Sequence, residues 1–191
     1  MHMQGMKQLE RDTTVNAPAH VVYQLFMDNA ELASWAPAVD AVIDERGGDD
    51  TGLGATRTCA VTMNGKKGTM VERCVEAVPG TRASFLVVDD SFGFSKMLTG
   101  YGFTARFTPA ASEQTTVRIE TFYTPASPAA AVLNRLVMRR KFRSVVDELL
   151  RGLCTLAERR QTQPETRARH ADPGPAQARP TQARPPRGRV G

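Results

Sequence analysis

The spacing of hydrophobic positions changes character twice along this chain. From Lys7 to Val15, Leu9, Thr13 and Val15 lie on one side and Gln8, Glu10 and Asp12 on the other, the two-residue period of a half-buried strand. Asn16-Ala17-Pro18 interrupts it, and Pro18 suits a first helical turn, where its missing N–H would have no partner anyway. Val21, Val22, Leu25 and Phe26 then follow at helical spacing. Leu32 and Trp35 suggest a second short helix that stops before Pro37.

Beyond Trp35 the pattern is almost purely that of strands. Val39–Glu45 is one, ended by Gly47-Gly48. Ala55–Met63 and Gly68–Val78 are two more, joined across Asn64-Gly65, the dipeptide that best fits a tight hairpin turn. Arg82–Asp89, Gly102–Thr108 and Thr116–Tyr123 complete a meander, with turn signals at Pro79-Gly80 and around Pro109–Gln114. Asp90–Leu98 reads as a loop or a strand interruption. A two-residue turn at Asn64-Gly65 pairs Met63 with Lys66, Cys59 with Met70, Arg57 with Glu72 and Ala55 with Cys74.

The second change falls after Tyr123. Ser127 and Pro128 suit an N-cap and a first helical residue, and no proline follows until Pro164. Phe142, Val145, Val146, Leu149, Leu150, Leu153 and Leu156 form one apolar stripe of a long amphipathic helix. Gly152 lowers local helix propensity by about 1 kcal/mol without changing that reading. A strand, two short helices, a meander and one long helix make an α+β fold: a curved antiparallel sheet of about six to seven strands wrapped around the C-terminal helix. Such a sheet leaves space beneath the helix, where ligand cavities commonly form.

Composition sharpens this picture in four places. The chain is 191 residues long and 41% hydrophobic, enough for one substantial core. No stretch approaches the ~20 apolar residues that span a bilayer, and no apolar run follows Lys7 as a secretory signal would require, so a cytoplasmic location is expected. The net charge of +5 divides unevenly: residues 161–191 hold six arginines against Glu165 and Asp172, a net of +4, which leaves +1 for the rest. The domain is therefore expected over 7–160, and 161–191 as a disordered, basic Pro/Arg-rich tail with too little apolar surface to fold. The fold itself carries no basicity that points to a specific nucleic acid. The cysteines (Cys59, Cys74, Cys154) show no CxxC or Cys/His ligand spacing and read as free, mostly buried thiols.

Thr14-Val15-Asn16-Ala17-Pro18-Ala19-His20-Val21-Val22-Tyr23-Gln24-Leu25-Phe26, then Asp28-Asn29-Ala30 and Trp35-Ala36-Pro37, resembles the opening of the START-like or SRPBCC superfamily. Gly52–Arg57, Val71–Gly80, Phe107-Thr108-Pro109 and Thr115-Thr116-Val117 follow in the order of its polyketide cyclase/dehydrase branch. The resemblance spans 7–160 and implies helix-grip geometry, in which the last helix lies across the concave face and lines a pocket. Members include ligand carriers and aromatic cyclases, and the branch has no invariant catalytic triad to transfer.

The candidate chemistry is sparse. His2 and His170 flank the domain and His20 opens a helix, so no strand histidine offers a general base or metal ligand; neither a metal nor a cofactor is expected. Arg57 and Glu72 project from one face. On the convex face they form an ordinary cross-strand pair, worth ~0.2–1 kcal/mol; on the concave face they can orient or protonate a ligand. Arg135, at about 100° per residue, points toward Phe142, Leu149 and Leu153. It either snorkels into water or stands at a cavity mouth to meet a ligand carboxylate, enolate or phenolate. The run Arg139-Arg140-Lys141-Phe142-Arg143, preceded by Val132, Leu133, Leu136, Val137 and Met138, is either a solvated helix back or a membrane-surface contact.

Trp35, Phe85, Tyr101, Phe103, Thr121, Tyr123, Met138 and Phe142 complete the expected pocket lining. The expected function is binding of a hydrophobic metabolite (a polyketide, isoprenoid or lipid) in that pocket. Two alternatives stand beside it: a cofactor-free cyclase or dehydratase using Glu72 or Tyr101 for proton transfer, and an interaction module acting through the basic tail.

Overall fold

The computed structural model describes residues 5–111 and 113–162; from residue 163 onward, the expected tail lies outside the described residues. Seven antiparallel strands form one curved, open sheet in the order β1-β7-β6-β5-β4-β3-β2. The chain enters at one edge as β1 (Lys7–Val15) and crosses to the other through α1 (Ala19–Met27) and α2 (Leu32–Trp35). It returns through β2 (Val39–Arg46), β3 (Thr56–Met63), β4 (Lys66–Val78), β5 (Arg82–Asp90), β6 (Leu98–Ala111) and β7 (Gln114–Pro125), which pairs back with β1. Pro18 is the N-cap of α1 rather than its first residue, and its carbonyl accepts from the N–H groups of Val21 and Val22.

The β3–β4 hairpin has the expected register, with Met63 opposite Lys66, Cys59 opposite Met70 and Arg57 opposite Glu72. Asn64 and Gly65 both have positive φ (51° and 75°), as a type I′ turn requires. All three cysteines are free.

The stretch after β5 is a helical turn, α3 (Phe94–Met97). The Asp90 carboxylate gathers it by accepting from the backbone N–H groups of Phe92, Phe94 and Ser95 at 2.7–2.9 Å. Burial works against its ionised form, yet these N–H bonds keep its acidity stronger than that of an ordinary aspartate. Phe94 is thereby brought to the end of the concave face, beside Tyr101 and Phe142.

The C-terminal helical segment starts as expected, with Ser127 Oγ accepting from Ala130 N–H and Pro128 in the first turn. It is not one regular helix, however. α4 (Pro128–Leu133) passes through a π-helical turn (Asn134–Met138) into α5 (Arg139–Thr162), and Arg139 N–H donates to the Asn134 carbonyl across five residues. Such a turn inserts one residue into the helical count. α5 then packs across the concave face over β1, α1 and α2, burying Val146, Leu150, Leu153 and Ala157. No helix among the described residues is long and apolar enough to cross a membrane.

Candidate ligand cavity

Because side chains alternate along a strand, every second residue of β3–β7 faces the helix. Between sheet and helix this leaves a chamber of about 130 Å³. The strands supply its floor: Arg57, Cys59, Val61 and Met63 of β3, Met70 and Glu72 of β4, Val87 of β5, Tyr101 and Phe103 of β6, and Ile119 and Thr121 of β7. Phe142, Val145, Val146 and Leu149 of α5 form the roof, while Phe26, Leu32 and Trp35 close one end. Behind that end Phe26 stacks on Trp35 at 5.6 Å and meets Phe103 and Phe107 edge-on, which fixes the wall.

A shallower groove of about 330 Å³ adjoins the chamber where α5 passes the β3–β4 turn. Ala38, Met63, Phe142 and Val145 line both spaces and form the neck between them. Met138, Lys141, Ser144 and Glu148 of the helical segment line the groove opposite Pro37, Thr62 and Asn64. The chamber alone is smaller than the roughly 300–1,000 Å³ of a site for a drug-sized molecule. The groove adds adjoining space whose rim carries the polar side chains of Lys141, Ser144 and Glu148.

The Arg57–Glu72 pair faces the concave side. Both side chains are buried, at 4% and 9% exposure. Arg57 Nε and Nη2 donate to Glu72 Oε2 at 2.8 and 2.7 Å, and Nη1 donates to Asn29 Oδ1 at 2.9 Å. The guanidinium also lies 4.3 Å from the centre of the Phe85 ring, a cation–π contact. With Oε2 occupied, Glu72 Oε1 has no hydrogen-bond partner among the described residues. Thr121 Oγ1 and Trp35 Nε1 are buried and likewise unpartnered. A chamber with apolar walls thus holds several polar groups with unused hydrogen-bonding capacity, and such groups are costly to bury unless something pairs with them.

Two further groups on these walls are shifted in acidity. Burial, then the Glu72 carboxylate, pushes the Tyr101 phenol well above its ordinary value, so it keeps its proton and can donate. Burial, again followed by Glu72, raises the Cys59 thiol to about 11, which makes it a poor nucleophile near neutrality.

Of the residues expected to line a pocket, Trp35, Arg57, Glu72, Tyr101, Phe103, Thr121 and Phe142 line the chamber and Met138 lines the groove. Phe85 and Tyr123 are buried but stand behind the walls: Phe85 under the Arg57 guanidinium, Tyr123 against Phe142 at 5.3 Å with its hydroxyl donating to Asn134 Oδ1 at 2.6 Å. Arg135 needs correction. It is exposed and lines neither space. The residue inserted by the π turn moves the inward face one position back, so Asn134 takes the place that regular helical spacing assigns to Arg135. The cation at the rim is Lys141 instead. Sequence reasoning also missed Asn29, whose grip on Arg57 spans 28 residues and leaves no local signature, and Met63 and Met70, whose hairpin spacing was legible but whose facing direction was not.

Residues 6–158 match the family described as polyketide cyclase / dehydrase and lipid transport. Solved structures with the same fold include a protein of Thermus thermophilus, 22% identical over 76% of this chain and 92% of that one, with a TM-score of 0.59. A START superfamily protein from Mycobacterium smegmatis superposes with a TM-score of 0.64 at 11% identity, over 80% of this chain and 98% of that one. The Zhui aromatase/cyclase from Streptomyces sp. R1128 does so with a TM-score of 0.59 at 19% identity, over 80% and 94%. At these identities the likeness concerns the fold. No curated protein matches the sequence.

Proposed function

Since the chain belongs to the polyketide cyclase / dehydrase and lipid transport family, we propose that it binds one hydrophobic metabolite, with its apolar body in the chamber and a polar end toward the rim. The observation that carries this reading is a chamber walled by apolar side chains in which Thr121 Oγ1 and Glu72 Oε1 lack partners. A ligand carbonyl or hydroxyl near Thr121, or a ligand hydroxyl donating to Glu72, uses that capacity. The aromatic walls favour a flat, unsaturated body such as a polyketide or isoprenoid, and Lys141 at the rim suits an anionic end group.

A second reading has an observation of its own. Tyr101 and Glu72 face the same chamber, one holding a proton and the other offering a free carboxylate oxygen. Such a pair can serve cofactor-free cyclisation or dehydration of a folded polyketide, with orientation supplying most of the acceleration.

The test is titration with a neutral apolar fluorescent probe, combined with native mass spectrometry of freshly purified protein. One saturable site per chain, weakened by Phe142→Ala while the melting curve still shows a folded protein, supports binding at the neck. A probe that never saturates, or that ignores Phe142→Ala, defeats the reading. A co-purified compound that is released with mass and retention time unchanged after prolonged incubation supports a carrier, and one released as an isomer or lighter by a water molecule supports the enzyme.

A further inference from the structure

One stretch of the surface is not explained by the cavity. Val132, Leu133, Leu136 and Val137 are exposed at 60%, 41%, 65% and 42%. Their spacing places them on one face of α4 and the π turn, and nothing among the described residues covers them. Arg140 and Lys141 continue the same face one turn later, while Arg135, Arg139 and Arg143 run along its flank at four-residue intervals. Arg139 also donates to the Gln8 carbonyl at 2.9 Å. Between Thr121 and Val146 there are five cationic residues and no acidic one. A solvated helix back has no need of four adjacent apolar side chains.

We propose that this face docks on an anionic lipid surface, with Val132, Leu133, Leu136 and Val137 entering the headgroup region and the arginines meeting lipid phosphates. Apolar insertion combined with a cationic flank is the physical signature of interfacial helix binding. Charge complementarity chooses this occupant over a second copy of the chain, because a twofold contact would set the same cations against one another. It also disfavours the residues after 162, which carry a net positive charge. The location adds a consequence. Met138, Lys141 and Phe142 belong to the groove and its neck, so docking brings the groove rim beside the membrane, where an apolar molecule can pass without crossing bulk water.

The experiment is flotation of the full-length protein with phosphatidylcholine vesicles, with or without about 30% phosphatidylglycerol. Binding is expected only to the anionic vesicles, falling as salt is raised to about 0.5 M. Leu136→Glu with Val132→Glu should abolish it. Arg140→Glu with Arg143→Glu should weaken it by about fivefold or more for each charge reversed. Ile43→Glu, at an equally exposed apolar position on β2, should leave it intact. All these residues are at the surface, so melting curves should match the wild type. The proposal is overturned if anionic vesicles do not bind at low salt, or if the patch variants bind as well as the wild type, which would transfer the binding to residues beyond 162. It is also overturned if sedimentation finds a dimer that Leu136→Glu dissolves, or if an acidic protein competes better than lipid for the patch. Because no cavity ligand is involved, the result does not depend on the outcome of probe titration.

Discussion

Gly152 of α5 lies directly over the backbone of Trp35, so close that a Cβ atom on Gly152 would stand 1.9 Å from the Trp35 carbonyl oxygen. A glycine in mid-helix, costly by propensity alone, is thus what lets the long helix reach α2 and close the chamber's inner end. Gly152→Ala would gain about 1 kcal/mol of helix propensity but must push α5 and α2 apart. Overpacking of this kind costs roughly 1–3 kcal/mol, and contact with backbone, which cannot rotate away, belongs at the upper end. Chemical denaturation should show a net loss of stability. An alanine variant more stable than the wild type would mean that the close approach does not exist in solution.

The Arg57–Glu72 pair should behave as a buried ion pair rather than as the surface pair its cross-strand register also allowed. Removing one partner leaves a buried charge unpaired, which costs about 3–5 kcal/mol. Arg57→Met alone should therefore destabilise strongly, and Arg57→Met with Glu72→Leu should recover most of that loss. A single variant within about 0.5 kcal/mol of the wild type, the usual range for surface substitutions, would place the pair in solvent.

At the rim, Lys141 and Arg135 should part company. Lys141→Ala should weaken anionic apolar ligands by up to about 1 kcal/mol, the range for a solvent-exposed ion pair, while neutral ligands bind as before. Arg135→Ala should change neither. Calorimetry with a fatty acid and the matching alcohol makes the comparison, and selective loss with Arg135→Ala would show that the π turn is absent.

Acid should act on Asp90. Its acidity is strengthened in the folded state, so the unfolded state binds its proton more readily. The stabilisation is complete above the unfolded value of about 4 and is lost as pH falls through the lower folded value. As pH falls through that folded value α3 should loosen, releasing Phe94 from Tyr101 and Phe142. Asp90→Asn should remove this sensitivity. Hydrogen exchange at the Phe92, Phe94 and Ser95 amides, followed from pH 5 down to the acid unfolding transition and corrected for the intrinsic rates, reads it directly. Protection that is unchanged in the wild type would rule out the carboxylate as the clasp.

Local patterns in the chain determined the order of its elements, the register of the β3–β4 hairpin, the cap at Ser127 and the apolar stripe from Phe142 to Leu156. Each depends on residues a few positions apart, through alternation, helical spacing or the φ > 0 demand of Asn64-Gly65. Local periodicity is blind to three other things. Which face of the hairpin turns inward depends on the sheet's curvature and on where α5 crosses it, so Arg57 and Glu72 were equally consistent with either side. Asn29 reaches Arg57 only because α1 and α2 carry the chain from one sheet edge to the other. The π turn exchanged Arg135 for Asn134, since one inserted residue rotates everything before it. Its stabilising contact, Tyr123 with Asn134, exists only once β7 and the helix are packed together.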